Sequence, residues 1–306
     1  TRAKDRQRTA AAPPHCSHVD FMIEGGAPDP EYVAELRRQL GLDRPLLEQF
    51  LIYAGKLVRL DLGYSLRMQE PVLDVVLARM PATLLLAASV LSFALVTGVA
   101  LGILAARNLG RWQDSAVTAL SLLGYATPNF WLGLMIVLLF AVWLPVLPPY
   151  GMTSIGMGLT GLQHAADVAW HLVLPTFALG THYMGVFARI TRAAMIDVAD
   201  MEFVKAARAK GIGELQLLWR HVFRNAMLAV VTYTGVQAGS LISGTVLIET
   251  VFAWPGVGRL AFDSIASRDH PVLLGTFLVT SVLVILINLA TDIVYTFVDP
   301  RIEVKG

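Results

Sequence analysis

The chain has 306 residues, 55% hydrophobic and 15% charged; soluble domains carry about a quarter charged residues, so this is the composition of a membrane protein. A formal net charge of +1 argues against nucleic acid as a partner and against a strongly acidic substrate. The lone cysteine, Cys16, excludes an intramolecular disulfide and any cysteine-built metal cluster.

Residues 1–79 differ from the rest. They open with a polar, basic stretch from Thr1 to Pro14, pass through a soluble helical pattern from Pro30 to Leu40 that Gly41 stops, and continue with an amphipathic piece from Leu46 to Val58. We read this part as a small helical extracytoplasmic region. Its first 20 residues are too polar for lipid and have little apolar surface to bury, so they are expected to be disordered.

Charge-free stretches organise the rest of the chain, because an ionised side chain at the bilayer centre is costly and about 20 apolar residues are needed to span. Asp, Glu, Lys and Arg are absent between Arg79 and Arg107, Asp114 and Asp167, Asp167 and Arg189, Arg224 and Glu249, and Asp269 and Asp292. Five spans are therefore expected, near 80–106, 115–147, 169–195, 226–252 and 271–298, the second bent where Pro128 removes a backbone donor. The expected fold class is an all-α polytopic membrane protein. Lys and Arg concentrate around 105–113, across 189–225 and in the tail 299–306, whereas 148–168 has none. By the positive-inside rule those basic segments, the carboxyl terminus among them, face the cytoplasm.

Within the long loop 197–225, Asp200 is a suitable N-cap, Ala206, Ala207 and Ala209 favour helix, and Gly211 suits a left-handed stop. These residues predict a short helix outside the membrane, with Phe203, Ala206, Ala207 and Lys210 on one face at i, i+3, i+4 and i+7. That face either docks into a partner's groove or belongs to a solvated basic loop. In the next span Tyr233, Gln237, Ser240 and Gly244 recur on one helical face, where polar groups either bond neighbouring helices or line a water-filled path. Glu249 stands just inside the end of that span, where it can pair with Arg259 or cap the turn. Trp254, Pro255, Gly256, Val257 and Gly258 mark an irregular turn with an interfacial tryptophan. Asp292 is the one carboxylate within the last span and is read as snorkelling or paired. His171 and His182, eleven apart without acidic companions, make no recognisable metal site. A phosphate-binding Gly-x-x-x-x-Gly-Lys-Ser/Thr loop and an H-E-x-x-H zinc motif are both missing, so neither an ATPase nor a zinc protease is read here.

The run Glu202, Phe203, Val204, Lys205, Ala206, Ala207, Arg208, Ala209, Lys210, Gly211, continuing through His221 to Ala226, resembles the signature loop of ABC importer permeases, in the version of the dipeptide and oligopeptide branch. Five further segments in the same order resemble that branch before the ending Asp299-Pro300-Arg301-Ile302: Gly41 to Pro45, Asp61 to Ser65, Arg79 to Thr83, His171 to Pro175 and Glu249 to Gly258. The resemblance runs from about Leu40 to Ile302. Two departures are Lys205, where the general importer signature has Glu, and Ala229, near which a proline is expected.

The resemblance implies a coupling helix, carrying Glu202 to Arg208 and Gly211, that docks on an ATPase subunit. Trp254, Pro255, Gly256 and Gly258 read either as a structural turn or as part of an outer gate beneath the binding protein, and Gln237 and Ser240 either as packing groups or as contacts for passing substrate. The resemblance implies one half of a translocation pathway, partnered by a second homologous permease, two ATPase subunits holding ATP and Mg, and a periplasmic solute-binding protein, in the bacterial inner membrane. Cargo in the branch is dipeptide, oligopeptide, glutathione or a nickel complex, and peptides are the expectation here. The chain itself is expected to carry no catalytic residue, cofactor or metal. An ion-coupled secondary transporter is the alternative, although inverted repeats and midplane ionisable sites are not evident. Peptide-branch permeases open with a span whose start is cytoplasmic, and the basic stretch Thr1 to Pro14 stands in its place; one more spanning helix upstream is expected.

Overall fold

The computed structural model describes residues 45–298, mostly as helix. The readings made for residues 1–44 and 299–306 lie outside the described residues, as does the reading of the Asp292 side chain. Residues up to Asp61 form one unit, and its described part is α1 (Leu46–Val58), which matches the expected amphipathic piece.

The second unit starts at Leu62. A short hairpin pairs β1 (Tyr64–Ser65) with β2 (Glu70–Pro71), Tyr64 opposite Pro71 and Ser65 opposite Glu70. Buried Ser65 donates to Asp269 Oδ2 at 2.5 Å, fixing the hairpin to the start of a later helix.

Helix α2 (Val72–Arg107) begins eight residues ahead of the expected span start at 80. Val72, Val75 and Val76 are buried at i, i+3 and i+4, so packing extends the helix past Asp74 and Arg79 and through Pro81. The stretch expected as one bent span is two helices, α3 (Trp112–Ala126) and α4 (Asn129–Val137), the latter running on as a π-helical turn, Leu138–Trp143. They meet at 99° across Thr127 and Pro128, where proline cannot donate and disfavours helix in the residue before it. Helix α5 (Gly161–Ala199) has 39 residues and at 1.5 Å per residue is about 58 Å long, starting well ahead of the expected 169. Ser154 donates to Asp167 twice, from its backbone N–H and its hydroxyl, both at 2.7 Å, which ties the preceding loop to α5. Those bonds hold the Asp167 carboxyl below its ordinary pKa by favouring the charged form.

Next come α6 (Glu202–Ala209), α7 (Glu214–Leu217), a second π-helical turn at Leu218–Phe223, and α8 (Arg224–Gly244). The expected fourth span is interrupted at Thr245, after which α9 (Val246–Val251) begins. The segment 254–270, read as loop, holds α10 (Val257–Ser267), and α11 (His270–Val298) closes the described chain. By length and composition α2 and the His270–Thr291 part of α11 can each cross a membrane, and so can the bent α3–α4 pair taken as one.

Close backbone approach organises the bundle. A Cβ on Gly98 would lie 2.8 Å from the Met184 carbonyl oxygen, and one on Gly102 2.7 Å from that of Ala188, so α2 and α5 touch along a small-xxx-small ridge. Gly185 brings α5 onto the backbone of α3 at Ser121 in the same way. Around this seam an apolar core gathers Leu86, Val90, Ala94, Leu179, Phe187, Val230, Leu241, Ile248 and Trp254.

Candidate functional site

Helix α6 is fastened on one side and open on the other. Val204 and Ala207 are buried with Met195, Val198, Leu217 and Val222, whereas Glu202, Phe203, Lys205, Ala206, Arg208, Ala209 and Lys210 are exposed. The exposed stripe is therefore Phe203, Ala206 and Lys210, and Ala207, expected beside them, turns inward. Met201 rather than Asp200 occupies the N-cap position, and Asp200 instead closes α5. The stop falls at Gly211, whose φ of +80° is left-handed. Its N–H donates to the Arg208 carbonyl at 3.0 Å and that of Ile212 to the Ala207 carbonyl at 3.4 Å, the paired bonds of a Schellman ending, with apolar Ile212 packed on the inner cluster. Lys205 pairs with Glu202 at 3.1 Å, and Arg208 reaches Glu214 at 2.9 Å, raising the pKa of its guanidinium and bracing α6 against α7.

The four polar positions of α8 are differently employed. Tyr233 meets Phe187 of α5 edge-on, ring centroids 5.3 Å apart. The Ser240 hydroxyl donates to its own helix at the Gln237 carbonyl, 3.1 Å away. Gly244 is exposed, and a Cβ there would sit 3.1 Å from the Tyr183 hydroxyl. Beside Tyr233 the fold assembles groups that the sequence reading left apart. Tyr125 of α3 stacks on His182 of α5 at 4.8 Å, Tyr183 stands edge-on to His182 at 5.2 Å, and the Arg189 guanidinium lies 5.0 Å above the Tyr125 ring. The signal within the sequence was the i, i+7 spacing of His182 and Arg189, two turns apart on one face of α5.

At the other end of the bundle the turn from Trp254 to Gly258 is built around Glu249. The Glu249 side chain is fully buried: Oε1 accepts from the Thr83 hydroxyl at 2.8 Å and lies 3.0 Å from that of Thr245, while Oε2 accepts the Arg259 backbone N–H at 3.0 Å. Thr83 in turn accepts the Val257 N–H at 2.8 Å. The carboxyl thus caps α10, where orphan N–H groups favour an acceptor. It takes the backbone of Arg259, whose guanidinium is 3.7 Å from Asp263 instead. Gly256 leaves the space that the carboxyl fills, since a Cβ there would collide with it, and a Cβ on Gly258 would meet the Val246 backbone first, with Glu249 Oε2 3.0 Å away. Trp254 is wholly buried rather than interfacial, donating from Nε1 to the Ala82 carbonyl at 2.8 Å, and Pro255 is half-buried.

Near the α6 end, Arg192 of α5, read as a loop cation, grips Asp114 of α3 through two bonds of 2.6 and 2.9 Å. Buried His171 places Nδ1 2.8 Å from the Asp167 carbonyl oxygen. Among the described residues no three His, Cys, Asp or Glu side chains converge.

Residues 98–304 match the family model described as "Binding-protein-dependent transport system inner membrane component". The di/tripeptide transport system permease protein DppB of Pseudomonas aeruginosa is 40% identical over 299 residues, covering 93% of this chain and 89% of that protein. The glutathione transport system permease protein GsiC of Escherichia coli is 38% identical over 284 residues, covering 93% and 88%. A solved chain of the inward-facing MetNI methionine ABC transporter shares the fold at TM-score 0.60 and 17% identity, over 74% of this chain and 96% of that one. These likenesses support the importer expectation and lend nothing to an ion-coupled carrier. A helical bundle with spanning helices, matched along nearly its whole length at these identities, belongs to the binding-protein-dependent transport system inner membrane components, the multi-pass permease subunits of ABC importers.

Proposed function

We propose that this chain forms one half of a translocation pathway for peptides and drives it through α6. The carrying observation is the two-faced helix: Val204 and Ala207 weld it to the bundle, while Phe203, Ala206 and Lys210 stand free for an ATPase subunit. A helix braced on one side by a Schellman stop and the Arg208–Glu214 pair passes a push on rather than absorbing it. ATP and Mg sit on two such ATPase subunits, so hydrolysis takes place outside this chain, and a second homologous permease completes the path. ATP biases inward against outward access through its different affinity for the two states, and the bias reaches the spans by linkage. Two relatives named for di/tripeptide and glutathione transport favour peptide cargo, handed over by a periplasmic binding protein.

Ala206→Trp blocks close approach on the exposed stripe, and Gly211→Val forces a β-branched residue into a left-handed turn. Both are expected to cut ATP-driven import about tenfold or more, a 1.4 kcal/mol effect or larger, while the separate ATPase still binds nucleotide. Normal import by both variants in proteoliposomes overturns the docking role.

The basic loops favour a cytoplasmic α6 and carboxyl terminus. In a Cys16→Ser background, Ala209→Cys and Glu303→Cys are expected to resist an impermeant thiol reagent in intact cells, and Met157→Cys to react. Labelling of position 209 from outside reverses the topology.

A further inference from the structure

Two arginines lie one turn apart on α5 and are treated differently. Arg192 is neutralised bidentately by Asp114. Arg189 is exposed, its guanidinium lies over the Tyr125 ring, and it makes no ion pair among the described residues. Arg189 is thus a cation held over an aromatic face.

Its position makes that charge informative. His182, with Tyr125 stacked on it, lies ten residues along α5 from Arg192, about 15 Å of helix rise, and the Arg189 side chain reaches back toward that pair. The group lies where α3, α5 and α8 pack together, and a cation there faces protein or a water-filled cavity rather than lipid. The surroundings suit a ligand with an anionic end and a polar backbone. His182 places Nδ1 3.2 Å from the Tyr125 carbonyl oxygen, and Nε2 makes no hydrogen bond among the described residues. The Tyr125 ring, 46% exposed, offers a flat face, and Tyr233 is close enough to Tyr125 and Arg189 to interact with both electrostatically. From Tyr233 the α8 face continues to Gln237 and Ser240.

We propose that Arg189, backed by Tyr125 and His182, is an anion subsite on the permeation path that receives the free carboxylate of the cargo as it passes. The inference rests on the peptide reading above and deepens it. A planar guanidinium fits a carboxylate bidentately, and the aromatic face beneath holds the fork in orientation. One such contact is weak enough for release and sufficient to favour acids over amides.

The test compares alanyl-alanine with its carboxyl-terminal amide, each loaded to saturation on the binding protein of the complete transporter in proteoliposomes. Arg189→Gln is expected to lower import of the free acid about tenfold, the worth of a hydrogen bond to a charged group, and to leave the amide at the wild-type rate. Arg189→Lys, which keeps the charge, is expected to retain most of the preference. Equal loss for both cargoes means that Arg189 serves an acidic residue of the second permease or a lipid phosphate, and sinks the proposal. So does free-acid import by Arg189→Gln at the normal rate. If the wild type imports neither compound, the peptide reading fails and takes this inference with it. A failure confined to the Arg189 variants leaves the peptide reading standing.

Discussion

Glu249→Ala is expected to remove most of the folded permease from the membrane. The substitution strips the acceptor from the Thr83 hydroxyl and the Arg259 N–H, both inside the bundle, and empties the volume against which Gly256 and Gly258 are packed. An unsatisfied buried donor costs about 1–3 kcal/mol, so two of them with a cavity amount to roughly 3–5 kcal/mol, a large share of a typical protein's stability. Glu249→Gln keeps the shape and one acceptor, but its amide group would face another donor at the Arg259 N–H. It is expected to fall between wild type and alanine. Fluorescence-detected size exclusion of a tagged permease, with thermal challenge, reads the series. An alanine variant as monodisperse and heat-resistant as wild type would falsify the hub role of Glu249.

Gly185→Val is expected to do comparable damage by the opposite route. A Cβ at this position meets the backbone of Ser121, its carbonyl oxygen first, and backbone cannot rotate away as the end of a side chain can. Helices α3 and α5 must separate, which also stretches the Arg192–Asp114 pair and the Tyr125–His182 stack. Overpacking costs about 1–3 kcal/mol where neighbours yield, and more where they are backbone. Gly213→Ala is the control. Gly213 has a φ of −61° and open space around it, so alanine there should leave yield and melting unchanged. Equal behaviour of the two variants would show that the α3–α5 contact has slack.

Much of the fold was legible because lipid imposes one simple rule, the exclusion of unpaired charge: charge-free stretches fall inside α2, α5 and α11, and a fourth covers nearly all of α8 before running on into α9. The same rule did not reach the ends of the helices. Asp74 and Arg79 hid the first two turns of α2, although Val72, Val75 and Val76 already carried a helical spacing. The segment containing α10 opened with a proline and glycines and read as loop, since its helix is capped by a carboxyl from another part of the chain. In α6, Phe203 and Ala207 are about 40° apart around the axis, and the edge between exposed and buried surface falls between them, which no spacing argument resolves. Tyr125 and His182 are 57 residues apart, and only the packing of α3 on α5 makes them neighbours.

The contacts between α2 and α5 are unevenly distributed along their length. In the half nearer α6 the helices are pressed together at Gly98 and Gly102, backbone against backbone. In the other half each carries a proline, Pro81 in α2 and Pro175 in α5, and so lacks one rung of its own hydrogen-bond ladder. There the bundle is tied instead by side chains: Thr83 to Glu249, and Trp254 to the Ala82 carbonyl. The pair therefore has a gradient of compliance, stiff beside α6 and yielding at the far end. Backbone contact leaves no slack beside α6, whereas at the far end the Glu249 side chain is the tether, so its length sets the spacing there.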